Sequence, residues 1–322
     1  MAVYTEVSDA DLATFLADYA LGGALSFKGI AEGVENSNFL LETETGRFIL
    51  TLYERRVRPE DLPYFLGLME WLAGHGYPCA RPMADKDGVT LKVLGGRPAA
   101  IVSFLTGLSA RRPTIAHCVE AGEGLAWLHA AARDFGGRRD NDLGQVAWAG
   151  MAAALRGRAD ALKPGLAAVV ARDLEFLGKA WPSDLPVGVV HADWFPDNVF
   201  FHAGRFAGAI DFYFAADDQL AYDLAVALNA WCFEADGSFN ITAARALVRG
   251  YERRRPLLPE EKAALPVLAR GAAMRFFLTR LADWGDARDG ALVRPKDPLE
   301  YERKLAVHRA AAPGGLALFD DA

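Results

Sequence analysis

Three cysteines in 322 residues, at positions 79, 118 and 232, are too few and too scattered for a disulfide framework or a C-x-x-C metal knuckle. Packed thiols in a reducing compartment account for them. No stretch approaches 18 consecutive apolar residues, so no membrane span is expected. The segment Met1 to Asp9 lacks a basic stretch followed by an apolar one, so nothing suggests secretion and a cytoplasmic location is expected. Basic runs are missing too. The net charge is −7, and the triplet Arg253-Arg254-Arg255 before Pro256 reads as a solvated helix end complementing the helix dipole. That balance disfavours a nucleic-acid partner. No G-x-x-x-x-G-K-[ST] stretch occurs, which excludes a P-loop nucleotidase. Internal repeats and low-complexity linkers are absent as well.

What is present divides the chain in two. Hydrophobic residues make up 52% and charged residues 24%, the balance of a soluble globular protein long enough for two lobes. Residues 9–20 carry helical periodicity, with Ser8 or Asp9 as cap. Strands follow at 25–30, 36–43 and 47–53, with a hairpin turn at Glu44-Thr45-Gly46. A helix over 59–73 stops at Gly74 and Gly76, and strands at 89–94 and 98–104 flank Gly95-Gly96. From Pro113 onward helices dominate: 114–132, 148–161, 165–180, 218–235, 242–255, 259–285 with a possible break at Pro266, and 298–310. Asp217 and Asp218 read as caps of the fourth of these. The expected class is α+β and bilobal. A small antiparallel-sheet lobe over 1–106 would grip a nucleotide, and a mainly helical lobe over 107–322 would carry catalysis and substrate, with the hinge at 103–107.

Among these helices lies the stretch with the most chemistry. Residues 186–191 read as a buried strand, and 199–201 with 206–210 as a hairpin turning at His202-Ala203-Gly204-Arg205. Asp193, Asn198 five positions later and Asp211 thirteen beyond that are spaced like the parts of a phosphoryl-transfer site. Asp193 would orient and deprotonate the attacking hydroxyl. Asn198 and Asp211, returned to one cleft edge by the hairpin, would hold Mg²⁺, which takes one or two carboxylates plus phosphate oxygens. His191 reads as structural, orienting the loop through a backbone hydrogen bond. A metallohydrolase using His191, Asp193, Asp211 and His202 is the rival, but His202 opens a tight turn at the far end of the hairpin. Upstream, Gly29 to Asn38 forms a glycine-bearing turn. Gly33 would let backbone amides approach phosphate, with Asn36, Ser37 and Asn38 as added donors.

These residues resemble the aminoglycoside phosphotransferase-like kinases, small-molecule relatives of protein kinases, over nearly the whole chain. The anchors are His191-Ala192-Asp193 with Asn198, Ile210-Asp211-Phe212, Asp223-Leu224-Ala225 and Leu125-Ala126-Trp127-Leu128-His129. Within that group the chain looks most like the kinase-like bacterial homoserine kinases. The stretches Gly29 to Phe39, Phe48 to Glu54, Asp61 to Phe65, Ile210 to Tyr213, Tyr222 to Ala225, Leu228 to Cys232 and Arg275 to Leu281 carry this. The resemblance implies a protein-kinase-like fold, ATP and Mg²⁺ as cofactors, and L-homoserine as the hydroxyl acceptor. It further implies that Asp223 braces the catalytic loop. One departure matters: Thr51 stands in the nucleotide site where a strand Lys or Arg would grip phosphates, and Tyr64 falls where its partner Glu would be. Lys28, Arg55 and Arg56 are candidate replacements. Ile101, Phe104 and Leu105 would cover adenine, with backbone groups of Ser103 to Leu105 reading its edge. Arg275 or Arg280 would bind the substrate carboxylate, and Trp194, Tyr213, Asn229 and Trp231 would form walls. Another acceptor (choline, ethanolamine, a sugar, an aminoglycoside) and a non-catalytic nucleotide binder stay open as alternatives.

Overall fold

The computed structural model describes residues 5–30, 36–54, 57–284, 295–311 and 318–319. Strands β1 (Ala24–Gly29), β2 (Ser37–Thr43), β3 (Gly46–Leu52), β4 (Lys92–Leu94) and β5 (Arg97–Ser103) form an antiparallel sheet in the order β1-β2-β3-β5-β4. Helix α1 (Asp9–Leu16) is capped by Ser8, whose hydroxyl accepts from the Asp11 amide. It is shorter than its periodicity suggests, because Lys86 draws the carbonyls of Ala17 and Asp18 out of the helix. The period of two along a strand then sorts the side chains. Phe48, Leu50 and Leu52 of β3 with Ala99 and Ile101 of β5 pack on Leu12, Phe15 and Leu16 of α1. The opposite face carries Ile49, Thr51, Ala100 and Val102 towards α2 (Leu62–Gly74) and the second lobe.

After Ser103 the chain leaves this sheet, and β6 (Leu108–Ser109) pairs with the hairpin of β8 (Val199–His202) and β9 (Arg205–Ala209). Around that hairpin lie α3 (Ile115–Ala131), α4 (Gln145–Leu162), α5 (Leu166–Ala180), α6 (Leu220–Trp231), α7 (Ile241–Glu252), α8 (Pro259–Asp283) and α9 (Pro298–Ala310). Strand β7 (Val187–Val190) pairs antiparallel with β10 (Ala216–Gln219).

Strand β10 corrects the expectation that Asp217 and Asp218 cap a helix. Asp217 accepts from the Arg139 amide and the Arg138 guanidinium, Asp218 accepts from Asn141, and the residue before α6 is Gln219. Pro266 does not break α8, since Leu265 and Leu268 are both fully buried and packing carries the helix through it. Strand β6 was not expected. The arginine triplet is not simply solvated: Arg253 and Arg254 meet Glu123, and Arg255 meets Glu261.

Helices α3 and α7 cross with backbone against backbone. A Cβ on Gly250 would lie 2.0 Å from the Val119 carbonyl oxygen, and one on Gly122 equally close to that of Leu247. Gly250→Ala should therefore lower stability by about 3 kcal/mol or more, as overpacking against rigid backbone does. A thermal melt checks this, and an unchanged midpoint would show that the crossing can open.

Candidate active site

Strand β7 delivers the chain into the loop that carries Asp193. Here Ala192 takes a left-handed conformation, φ 60°, which costs a side-chain-bearing residue roughly 1–2 kcal/mol. The buried carboxylate of Asp223, on α6, offsets that strain. One of its oxygens accepts from the Ala192 amide at 2.8 Å, and the other accepts from the His191 amide at 2.7 Å. His129 Nε2 lies 3.1 Å from the second oxygen, and its Nδ1 is 2.7 Å from the Tyr251 hydroxyl. Burial alone would raise the Asp223 carboxyl. The His129 contact and the backbone amides outweigh it and hold the group below its usual range.

His191 locks the other side of the loop. The Asp193 amide donates to its Nδ1 at 3.3 Å, which puts the proton on Nε2, facing the Ile210 carbonyl at 3.0 Å. Burial keeps this imidazole neutral by pushing its pKa down. The loop is thereby tied to the residue before Asp211. Its neighbour Asn198 closes the short turn Pro196–Asn198, and its amide nitrogen donates to both the carbonyl and Oδ2 of Asp193, each at 2.9 Å. Burial pushes the Asp193 carboxyl up, against the pull of Arg275 and Lys296.

The β8–β9 hairpin pairs Val199 with Ala209, and the Ile210 amide donates to the Asn198 carbonyl at 3.0 Å. Asp211 therefore emerges beside Asn198, and it too is left-handed, φ 65°. With its nitrogen committed to Asp193, Asn198 has its amide oxygen to give a cation, and Asp211 supplies a carboxylate. Two hard oxygen donors on one edge suit a divalent ion such as Mg²⁺.

On the nucleotide side the expected donors are turned inward. Gly33 lies outside the described residues, as do Arg55 and Arg56. Ser37, fully buried, donates to Glu54, and the Glu54 amide meets the Asn36 side chain. Thr51 donates to Asn38 at 2.8 Å. These contacts brace the ends of β2 and β3 and take up the hydroxyls of Ser37 and Thr51 and the amide oxygens of Asn36 and Asn38. Lys28 stands exposed on β1. Ile101 corrects the adenine reading: strand alternation turns it to the α1 side, while Ile49 and Val102 face the second lobe. At the hinge, the amides of Ser103 and Phe104 are committed to the carbonyls of Arg81 and Arg47.

The substrate side also sorts differently. Trp194 is fully buried and donates to the Ala121 carbonyl, Trp231 donates to the Trp194 carbonyl, and Asn229 sits in the core. They stiffen the loop from below and have almost no surface for a ligand. Arg275 is 2% exposed, donates to the Ala192 carbonyl and lies over Phe214 and Phe276. Arg280 meets Glu300 at 2.6 Å and stacks on Tyr301. Tyr213 joins the aromatic cluster beneath β3, its hydroxyl 3.0 Å from that of Tyr53. Two residues escaped the sequence reading. Arg139 bridges Asp61 and the Ala215 carbonyl, and Lys296 sits 3.7 Å from Asp197 with its ammonium over Phe195. Neither belongs to a motif, so no sequence signal pointed to them.

Known proteins were compared with this geometry in hand. The sequence profile of the phosphotransferase enzyme family matches residues 26–257. A homoserine kinase of Caulobacter sp. (strain K31) is 70% identical over 320 residues, 99% of each chain. A homoserine kinase of Phenylobacterium zucineum (strain HLK1) is 70% identical over 311 residues, covering 97% of this chain and 96% of that one. Among solved structures, an amicoumacin kinase in complex with AMP-PNP and Ca²⁺ superposes with a TM-score of 0.67 at 16% identity. That match covers 96% of this chain and 95% of that one.

The Asp223→Asn variant tests the loop. One amide nitrogen would then face a backbone N–H, so about 3 kcal/mol of stability should be lost, as when a buried pair is broken. Displacing Asp193 by about 1 Å should cost on the order of a hundredfold in turnover. Denaturant unfolding and a turnover assay check both, and wild-type turnover would free the loop from Asp223.

Proposed function

The chain belongs to the phosphotransferase enzyme family, and from that premise we propose that it transfers the γ-phosphoryl group of ATP to the hydroxyl of L-homoserine, giving O-phospho-L-homoserine for threonine biosynthesis. The observation that carries the chemistry is the meeting of Asp193, Asn198 and Asp211 at the base of the β8–β9 hairpin. The relatives named homoserine kinase, 70% identical over nearly the full chain, support the acceptor.

The acceptor hydroxyl is oriented by Asp193. One carboxylate oxygen is pinned by the Asn198 amide, so the other takes the hydrogen bond from the hydroxyl and then its proton. Burial raises the basicity of that carboxylate, which favours the transfer. Asn198 and Asp211 hold Mg²⁺, which when bound neutralises charge on the phosphates. The lobe boundary falls between residues 106 and 107. Of the three hinge residues only Leu105 has an amide not already committed to a neighbouring carbonyl by the contacts above, and we assign it to the adenine edge. Asp193 feels the positive charge of Arg275 and Lys296. An acceptor with a carboxylate therefore meets cations at this end of the cleft, whereas a choline-like acceptor would meet repulsion. Arg280 is the weaker candidate for that carboxylate, being paired with Glu300. Such an enzyme acts in the cytoplasm.

ADP release with Mg·ATP, measured against L-homoserine, D-homoserine, L-serine, choline, ethanolamine and kanamycin, tests the acceptor. Turnover should be confined to L-homoserine, and turnover on another acceptor would retire that substrate. In the same assay Asp193→Asn should lose on the order of a thousandfold in kcat with Mg·ATP affinity nearly unchanged. Wild-type turnover would remove Asp193 from the reaction.

A further inference from the structure

The position that would carry a phosphate-gripping cation holds Thr51, and the contacts around it lead across the cleft. Thr51 is bonded to Asn38 on the neighbouring strand. Two residues on, Tyr53 is almost fully buried, and its hydroxyl shares a 3.0 Å hydrogen bond with that of Tyr213, 160 positions away. Tyr213 stands two residues after Asp211. Among the described residues it is the one from the second lobe in the cluster formed by Tyr53, Leu62, Phe65 and Ala100, and it meets Tyr53 and Phe65 edge-on. An ordinary phenol titrates at about 10, so both hydroxyls serve as hydrogen-bonding groups at neutral pH.

A second link runs in parallel. Arg139, 14% exposed, donates through Nε to Asp61 at 3.0 Å and through a terminal nitrogen to the Ala215 carbonyl at 3.3 Å, with its guanidinium over Phe65. Asp61 stands at the entry to α2, and Ala215 lies four residues after Asp211. In protein kinases a strand lysine paired with a helix glutamate ties the same kinds of element to the nucleotide.

We propose that Tyr53 and Tyr213, seconded by Arg139, are positioning residues that fasten β3 and α2 to the segment after Asp211, setting the Asp211 carboxylate for its cation in place of the missing strand cation. Two physical arguments support this. Asp211 is held at positive φ, a conformation that persists only where its surroundings impose it. The hydroxyl pair is also a direct polar link from the residue that follows β3 to that segment, 3.0 Å long. The proposal rests on the reading of Asp211 as a metal ligand.

A mutant cycle of Tyr53→Phe, Tyr213→Phe and the double variant tests it, because stability and positioning respond differently. Removing one hydroxyl strands its partner in the core, whereas removing both leaves two apolar rings of the same shape. Melting midpoints should fall in the single variants and recover in the double. If the pair positions Asp211, the half-saturating Mg²⁺ concentration at fixed ATP should rise at least about fivefold in the double variant with no such recovery, while KM for the acceptor stays within about twofold. A double variant with wild-type Mg²⁺ dependence would overturn the proposal and reduce the pair to packing. Where the double variant melts too low to assay, Tyr53→Phe alone, below its midpoint, decides by the same fivefold criterion. Asp211→Asn is run beside it. Unchanged Mg²⁺ dependence there would instead retire Asp211 as the ligand, an outcome separate from failure of the tyrosine pair.

Discussion

A single buried carboxylate underlies the active-site loop. Asp223 accepts from two consecutive backbone amides, those of His191 and Ala192, and receives His129 as its counterweight. Without those acceptors the left-handed turn at Ala192 would relax, and Asp193 would swing with it. From there the constraint spreads along the sequence. His191 ties the loop to Ile210, Ile210 to Asn198, Asn198 back to Asp193 and Asp193 to His191, so Asp193 and Asn198 sit in one closed ring of hydrogen bonds that passes through the residue before Asp211. None of these contacts is long-lived by itself, but a ring fixes each member by two neighbours. That is what holding a reacting oxygen to within a fraction of an ångström requires.

Electrostatics across the cleft are divided unevenly. Beneath the catalytic loop Arg275 is buried and spends one nitrogen on the Ala192 carbonyl, while Lys296 stands 64% exposed beside Asp197. Positive charge therefore gathers around Asp193. At the β3 end, uncharged groups replace it: Thr51 on Asn38 and Tyr53 on Tyr213, while the Glu54 carboxylate that accepts from Ser37 is balanced by Arg97. Neutral hydrogen bonds need no counter-ion and carry little desolvation penalty, so they can be buried where a lysine without its glutamate could not.

Legibility in the sequence followed the range of the contact. The spacing of Asp193, Asn198 and Asp211 could be interpreted because a hairpin and two tight loops, all within twenty residues, place them. The antiparallel strands of the first lobe followed from alternation and turn residues, and the helices of the second from periodicity and caps. Polar type misled at Ser37, which the alternation of β2 turns inward, and at Asn36, whose side-chain oxygen is taken by the Glu54 amide. Strand β10 was missed because Ala-Asp-Asp-Gln has poor strand propensity, and only pairing with β7 and the arginines at 138 and 139 makes it one. Trp194 and Trp231 read equally well as walls or core from composition, and burial decided for the core. Arg139 and the tyrosine pair join residues 76 to 160 positions apart, and nothing local marks such a partner.

The ring and the cross-cleft links together bear on how the two lobes can move. Within the second lobe Asp193 and the start of the Asp211 segment are tied through Asn198, whose side chain holds Asp193 and whose carbonyl holds the Ile210 amide. Closure on a nucleotide cannot adjust one without the other. The freedom that remains lies between that unit and the first lobe, where the described contacts near Asp211 are an aromatic cluster, the tyrosine pair and the Arg139–Asp61 ion pair. Aromatic edges slide at small cost, but a 3.0 Å hydroxyl contact and a guanidinium on a carboxylate are sensitive to a shift of an ångström. The second lobe thus fixes Asp193, Asn198 and the start of the Asp211 segment against one another, and the tyrosine pair joins that unit to the end of β3. A kinase of this build meets its second lobe through uncharged hydroxyls where a strand lysine would otherwise be the organiser.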